Sequence, residues 1–177
     1  MLLYNKSENS NIEKLESGHS DALHAKCLIK DCSFHLIAVY FDTKEIPRNE
    51  AIIENLTYIL DKVRDKPIIL LGDFNGHLGF IGDQALNRNG SMVLDLAEKY
   101  DCVILNGDPA CKGEITWSRK KQKSSIDFIV CNQEMYKYFI KMEIVESKEI
   151  FDLSDHHLLE ALFNIRHEKE MKKTKNK

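Results

Sequence analysis

Leu23, Ala25, Cys27 and Ile29 occupy alternate positions of 23–29, the two-residue period of a strand with one buried face. The next run, FHLIAVYF at 34–41, is apolar almost throughout and rich in strand formers, which predicts a more buried strand. Beyond Pro47 the period changes. Ile52, Ile53, Leu56, Ile59, Leu60 and Val63 fall on one stripe of a helix, with Asn49 or Glu50 opening it. PIILL, 67–71, is too short for a buried helix and stops at Gly72, so it is predicted to be a central strand buried on both faces.

NGSMVLDLAEKY predicts a second helix with Val93, Leu94, Ala97 and Tyr100 on one side, and CVILN after it a strand. EITWS and SSIDFIV, separated by the polar RKKQKS, predict a hairpin. A short helix near 133–139 and a strand near 141–145 follow, and LLEALFNI, 158–165, alternates well enough for a last strand. Strands outnumber helices and do not alternate with them regularly, which favours a layered α/β sandwich over a doubly wound sheet. With no internal repeat and no linker, residues 1–165 read as one domain and the lysine-rich 166–177 as a disordered tail.

Composition adds limits. The chain has 177 residues, 43% of them apolar, enough for one core. No run approaches the ~18 apolar residues of a membrane helix, and the opening Met1–Tyr4 is too short for an export signal, so the expectation is a soluble protein with no membrane partner. Cys27, Cys32, Cys102, Cys111 and Cys131 form no Cys-x-x-Cys pair, which suggests reduced packing residues of an intracellular protein, the nucleus included, rather than a zinc cage or a disulfide framework. The net charge of −3 conceals an asymmetry: residues 166–177 carry six basic and two acidic side chains, a surplus of +4, leaving −7 for the rest. An acidic body opposes nonspecific attraction to a phosphate polymer unless cations neutralise its carboxylates or a local basic patch faces the ligand.

Three strand junctions carry polar residues suited to chemistry. The first is Asp73, Asn75 and His77 in LLGDFNGHLG; the second is Asp127, an acid in the apolar SSIDFIV; the third is SDHH, 154–157. Each has a simpler reading as turn chemistry, a solvent-facing acid or a capping signal. Together they supply the parts for phosphodiester hydrolysis. Carboxylates hold a hard cation such as Mg2+, a His oriented by a second carboxylate moves a proton or stabilises the phosphate, and an Asn contributes a neutral donor.

These blocks resemble the endonuclease/exonuclease/phosphatase superfamily, and within it the endonuclease domains of non-LTR retrotransposons. The resemblance runs over about residues 1–165 through VYFD around Tyr40, LLGDFNGHLG, NRNGSMVLDLAEKY, LN at 105–106, TWSRKKQKSSIDFIV and SDHHLLEALF. It implies a DNase I-like four-layer α/β sandwich with its site on one edge of the paired sheets, an Mg2+-dependent endonuclease (Mn2+ being the alternative ion), DNA as the partner and no small-molecule cofactor. By position, Asp73 and Asn75 resemble the residues that activate the water and contact the phosphate. Asp127 and His156 resemble the Asp-His pair, Asp155 a further metal carboxylate beside Asp73, and Tyr40 the tyrosine near the scissile phosphate. The hairpin carrying Arg119, Lys120, Lys121 and Lys123 resembles the one that contacts target DNA. Its alternative is a solvated tip, and Trp117 reads as core.

The family pattern also implies earlier strands, one ending in a metal-binding glutamate, that this chain is expected to lack. Met1–Tyr4 resembles the strand after them, and Glu8, Glu13 and Glu16 lie in a polar stretch that offers no substitute. The expectation is therefore weak or absent cleavage and an exposed sheet edge. Two alternatives stay open: a catalytically dead fragment or binding module, and a member of the phosphatase branch.

Overall fold

The computed structural model describes residues 10–82, 85–145 and 154–165. A six-stranded sheet has the order β1 (Ser10–Leu15), β2 (Ala22–Ile29), β3 (Cys32–Tyr40), β4 (Ile68–Asp73), β9 (Asp127–Asn132) and β5 (Cys102–Ile104). Helices α1 (Ile46–Val63) and α2 (Arg88–Lys99) pack on one face of it. A three-stranded sheet, β11 (Leu158–Phe163), β10 (Phe139–Val145) and β6 (Cys111–Lys112), covers the other. The remaining elements are a 3-10 turn at Leu105–Gly107, the hairpin β7 (Trp117–Arg119) and β8 (Gln122–Ser124), and the short helix α3 (Gln133–Tyr136).

The two faces share strands through the pleat. Ile37, Leu70, Phe128 and Val130 point into the helix-side core with Ile52 and Leu56, whereas Ile69, Ile129 and Cys131 point between the sheets, against Met142 and Ile144. Leu56 and Phe128 are 0% exposed, and truncating either to Ala costs about 3–5 kcal/mol. Leu158 and Leu162, on the outward side of β11, are about half exposed, and no helix covers that side among the described residues.

Several boundaries differ from the sequence reading. Helix α1 opens at Ile46 rather than at Asn49 or Glu50, because Pro47 fits the first turn, where no N–H is needed. Asn49 is instead 0% exposed inside the helix. The sequence does not predict strand β1: at the edge of the sheet among the described residues, it has only Ile12 and Leu15 apolar and is too polar to show a period. EITWS and SSIDFIV do not pair along their length; the hairpin is confined to Trp117–Ser124, and Asp127 is the first residue of β9 rather than lying inside a longer strand. CVILN is a strand only to Ile104, since Leu105–Gly107 turns. The predicted helix near 133–139 ends at Tyr136, and the strand near 141–145 begins at Phe139. The tail 166–177 and the strand-like Met1–Tyr4 lie outside the described residues.

Candidate active site

Three neighbouring strands end in one row. Tyr40 on β3 stands opposite Asp73 on β4, and Asp73 stands opposite Asp127 on β9. Directly paired residues project to the same face, and Ile69 and Ile129, of the same parity, belong to the core between the sheets. The row therefore sits at the rim of that core. Gly72 fixes its spacing: its φ is +152°, and a Cβ there would collide with the Val39 carbonyl.

His156 reaches the row through the hairpin. The Thr116 N–H donates to the Ser124 carbonyl (3.0 Å), the His157 N–H to the Thr116 carbonyl (2.7 Å) and the Ser118 N–H to the Asp155 carbonyl (2.8 Å), so residues 116–118 join the hairpin to the segment carrying His156. The Ser154 hydroxyl accepts from the His156 N–H. His156 Nδ1 lies 3.1 and 3.0 Å from the two Asp127 carboxylate oxygens, and its Nε2 lies 4.0 Å from Asp73 Oδ2. Because a carboxylate only accepts, Nδ1 carries the proton and the Nε2 lone pair faces Asp73, a tautomer assigned from these partners.

Burial raises the pKa of both carboxyls. Asp73 is pushed up to about 6, first by desolvation and then by the neighbouring Asp127 charge, against the lowering effects of the Asn75 backbone N–H and of His156. Asp127 is raised by desolvation, with Thr116 and His156 acting in the opposite sense. Ligand atoms of Asp73, Asp127 and His156 all lie within 4.8 Å of one another. Two carboxylates crowded into a desolvated rim repel each other, and a divalent cation relieves that repulsion, so the pair of carboxyl groups fits such an ion, with the imidazole beside it.

The remaining predicted residues divide. Asn75 belongs with the cluster: its backbone N–H donates to Asp73 Oδ1 (2.9 Å), and its side-chain amide donates to the Phe41 carbonyl (2.7 Å) and to Asp73 Oδ2 (3.3 Å). Two acceptors fix the amide's orientation, so its Oδ1 is the atom left for a ligand, as an acceptor. Asp155, half-buried beside His156, is not part of the 4.8 Å group. Tyr40 is 47% exposed at the edge of an open cleft that Asp21, Ser20 and Lys14 also line. Arg119, Lys120, Lys121 and Lys123 are all exposed on the hairpin, with Lys120 at φ +57° in its two-residue turn. Trp117, expected in the core, is half-buried.

Two residues supporting the site escaped the sequence reading as individuals. Thr116 is 0% exposed, and its hydroxyl accepts from the N–H groups of Ile126 and Asp127, which fixes where β9 begins. Asn106 donates to the Asp127 carbonyl and accepts from the Ile129 N–H, acting as a surrogate strand where β5 ends. The only sequence signals were their places in the blocks TW and LN.

A family model described as "Endonuclease-reverse transcriptase" matches residues 34–160. Among solved structures, the endonuclease domain of TRAS1, a telomere-specific non-LTR retrotransposon, superposes with a TM-score of 0.74 at 15% identity, covering 91% of this chain and 72% of that one. The 3′ phosphatase NExo from Neisseria, solved with a product DNA hairpin, gives 0.62 at 17% identity over 80% of this chain and 65% of its own. The AP endonuclease LMAP from Leishmania major gives 0.64 at 12% identity, over 82% and 55%. At these identities the likeness establishes the DNase I-like fold, and the chain spans only part of each neighbour. No curated protein matches the sequence significantly.

Proposed function

We propose that this chain, which belongs to the endonuclease-reverse transcriptase family matched over residues 34–160, hydrolyses a DNA phosphodiester with the help of a divalent cation. The observation that carries the reading is the meeting of Asp73, Asp127 and His156 within 4.8 Å, with the segment carrying His156 hydrogen-bonded to a hairpin bearing four exposed cations. That DNA-processing enzymes are among the structural neighbours supports a nucleic-acid substrate.

Each part has a task set by its chemistry. The hairpin cations meet backbone phosphates, which positions the duplex without reading its sequence. Asp127 holds the His156 ring through Nδ1, leaving Nε2 to accept a proton from water or to hydrogen-bond the phosphate once protonated. Asn75 Oδ1 accepts from the attacking water and so orients its lone pair toward phosphorus. Asp73 and Asp127 would hold Mg2+ or Mn2+ through carboxylate oxygens, with Asp155 one residue from His156 as a further ligand. The ion supplies neutralisation of the charge that builds on the phosphate and leaving oxygens.

The test is nicking of supercoiled plasmid by the purified chain with Mg2+, with Mn2+ and with EDTA, alongside His156→Ala. Cleavage that needs the cation and the imidazole is expected. Cleavage that survives both EDTA and the substitution, or no cleavage under any cation, would overturn the reading.

A further inference from the structure

Asn75 is a non-glycine residue at φ +45°, in the left-handed region that L side chains avoid. That conformation allows its backbone N–H and its amide to bind Asp73 together. Something must hold it, and three buried or half-buried amides converge behind it. Asn87 Nδ2 (3.1 Å) and Asn89 Nδ2 (3.3 Å) both donate to the Asn75 carbonyl. Asn89 also donates to the Asp42 carbonyl (3.1 Å), and its Oδ1 accepts from Asn49 (3.0 Å), which in turn donates to Asp42 and accepts from the Asp42 N–H. The exits of β3 and β4 are thereby stitched to each other and to the first turns of α1 and α2.

We infer that Asn87 and Asn89 are positioning residues: by gripping the Asn75 carbonyl from α2 they hold Asn75 in its left-handed conformation, and through it fix both oxygens of the Asp73 carboxylate. Asn89 is 3% exposed and Asn49 0%, so in neither can water take over a lost amide bond. Gly90 allows the close approach, since a Cβ there would collide with the His77 carbonyl.

Asn87 does two separable jobs, which makes the inference testable. Its Oδ1 accepts from the N–H groups of Gly90 (2.7 Å) and His77 (2.9 Å), the N-cap of α2, while its Nδ2 alone reaches Asn75. Asn87→Asp keeps the cap, places a carboxylate where the helix favours negative charge, and sets an acceptor against the Asn75 carbonyl in place of a donor. The experiment combines thermal unfolding, nicking kinetics and NMR-detected amide exchange of the full chain. For Asn87→Asp the expected result is a Tm within about 2 °C of the parent, kcat lower by about 10- to 100-fold with KM changed less than about 3-fold, and an Asn75 N–H that exchanges about ten times faster while His77 and Gly90 do not change. Asn87→Ser, which keeps an acceptor and adds no repulsion, should fall between the two. A role as helix cap alone predicts unchanged kcat and unchanged Asn75 exchange in Asn87→Asp, and that result overturns the inference. The kinetic arm rests on the proposed cleavage reaction, but the exchange arm does not: a parent chain that never nicks DNA refutes the reaction, while Asn75 exchange still decides whether the clamp exists.

Discussion

The two halves of the proposed machinery, the Asp73–Asp127–His156 cluster and the hairpin cations at 119–123, are built on opposite physical plans. In the cluster, the Asp73 carboxylate accepts from the Asn75 N–H and amide and the Asp127 carboxylate from His156 Nδ1, and desolvation raises the pKa of both. On the hairpin, the four cationic side chains stand in water, Arg119 and Lys123 on two three-residue strands and Lys120 and Lys121 in the turn between them. Chemistry requires fixed geometry and tolerates the cost of burial, whereas phosphate steering requires charge that can adapt to a flexible polymer. Damage to the first should therefore appear in the rate of the chemical step, and damage to the second in affinity and salt dependence.

The largest expected effect is on the cluster. Asp127→Ala and His156→Ala should each lower kcat for plasmid nicking by about 1000-fold with KM within about 3-fold of the parent, since both remove an oriented acid–base group. A change mainly in KM would erase the distinction between the halves. Next in size, converting Arg119, Lys120, Lys121 and Lys123 to Gln should raise KM by about 10- to 100-fold at low salt and leave kcat nearly intact. The log–log salt slope should become shallower by about 3 to 4, near 0.9 per lost phosphate contact. An unchanged slope would mean that the hairpin does not meet the nucleic acid.

A third effect separates the halves by pH. A raised folded-state pKa at Asp73 gives stability that is complete below its unfolded value near 3.8 and is lost as pH rises through about 6. In EDTA, Asp73 thus makes a Tm contribution that falls between pH 4 and 6.5. Mg2+ should cancel it, and hairpin variants should leave it unchanged. Scanning calorimetry with and without the ion checks this, and Mg2+ stabilising equally at pH 4.5 and 7.5 would contradict it. The smallest effect lies away from both halves. His24 and His35 are buried at 2.9 Å from each other, and desolvation lowers the pKa of each. A lowered folded pKa has the opposite sign: its stability is complete above about 6.5 and is lost as pH falls through the folded values. In an Asp73→Asn, Asp127→Asn background, where both raised carboxyls are gone, Tm should fall by a few degrees on acidification below pH 6.5. Adding His35→Phe should flatten that fall.

Sequence patterning made the layered fold legible because the central elements are strongly apolar. The run at 67–71 could only be a strand buried on both faces, and its abrupt end at Gly72 marked Asp73 as a rim residue. The edge was not legible: β1 is half in water and, among the described residues, pairs only with β2, so hydrophobic period carries no trace of it. Asp73, Asp127, Asp155 and His156 stand out in the sequence because ionisable groups next to apolar strands are conspicuous. Thr116, Asn106, Asn87 and Asn89 were not assigned roles, because a neutral amide or hydroxyl that satisfies a backbone group looks like any loop residue until the group it satisfies is known.

The row of Tyr40, Asp73 and Asp127 belongs to the large sheet, while His156 arrives on the thread that enters the small one. The imidazole thus works as a gauge of how the two sheets lie against each other. A substitution in the layer between them, such as Ile129→Val or Met142→Leu, that slides one sheet by a fraction of an ångström would silence the proposed reaction while leaving each sheet intact. Under the proposed reaction, the tolerance of that layer to sequence change would be set by alignment of the site before it is set by folding.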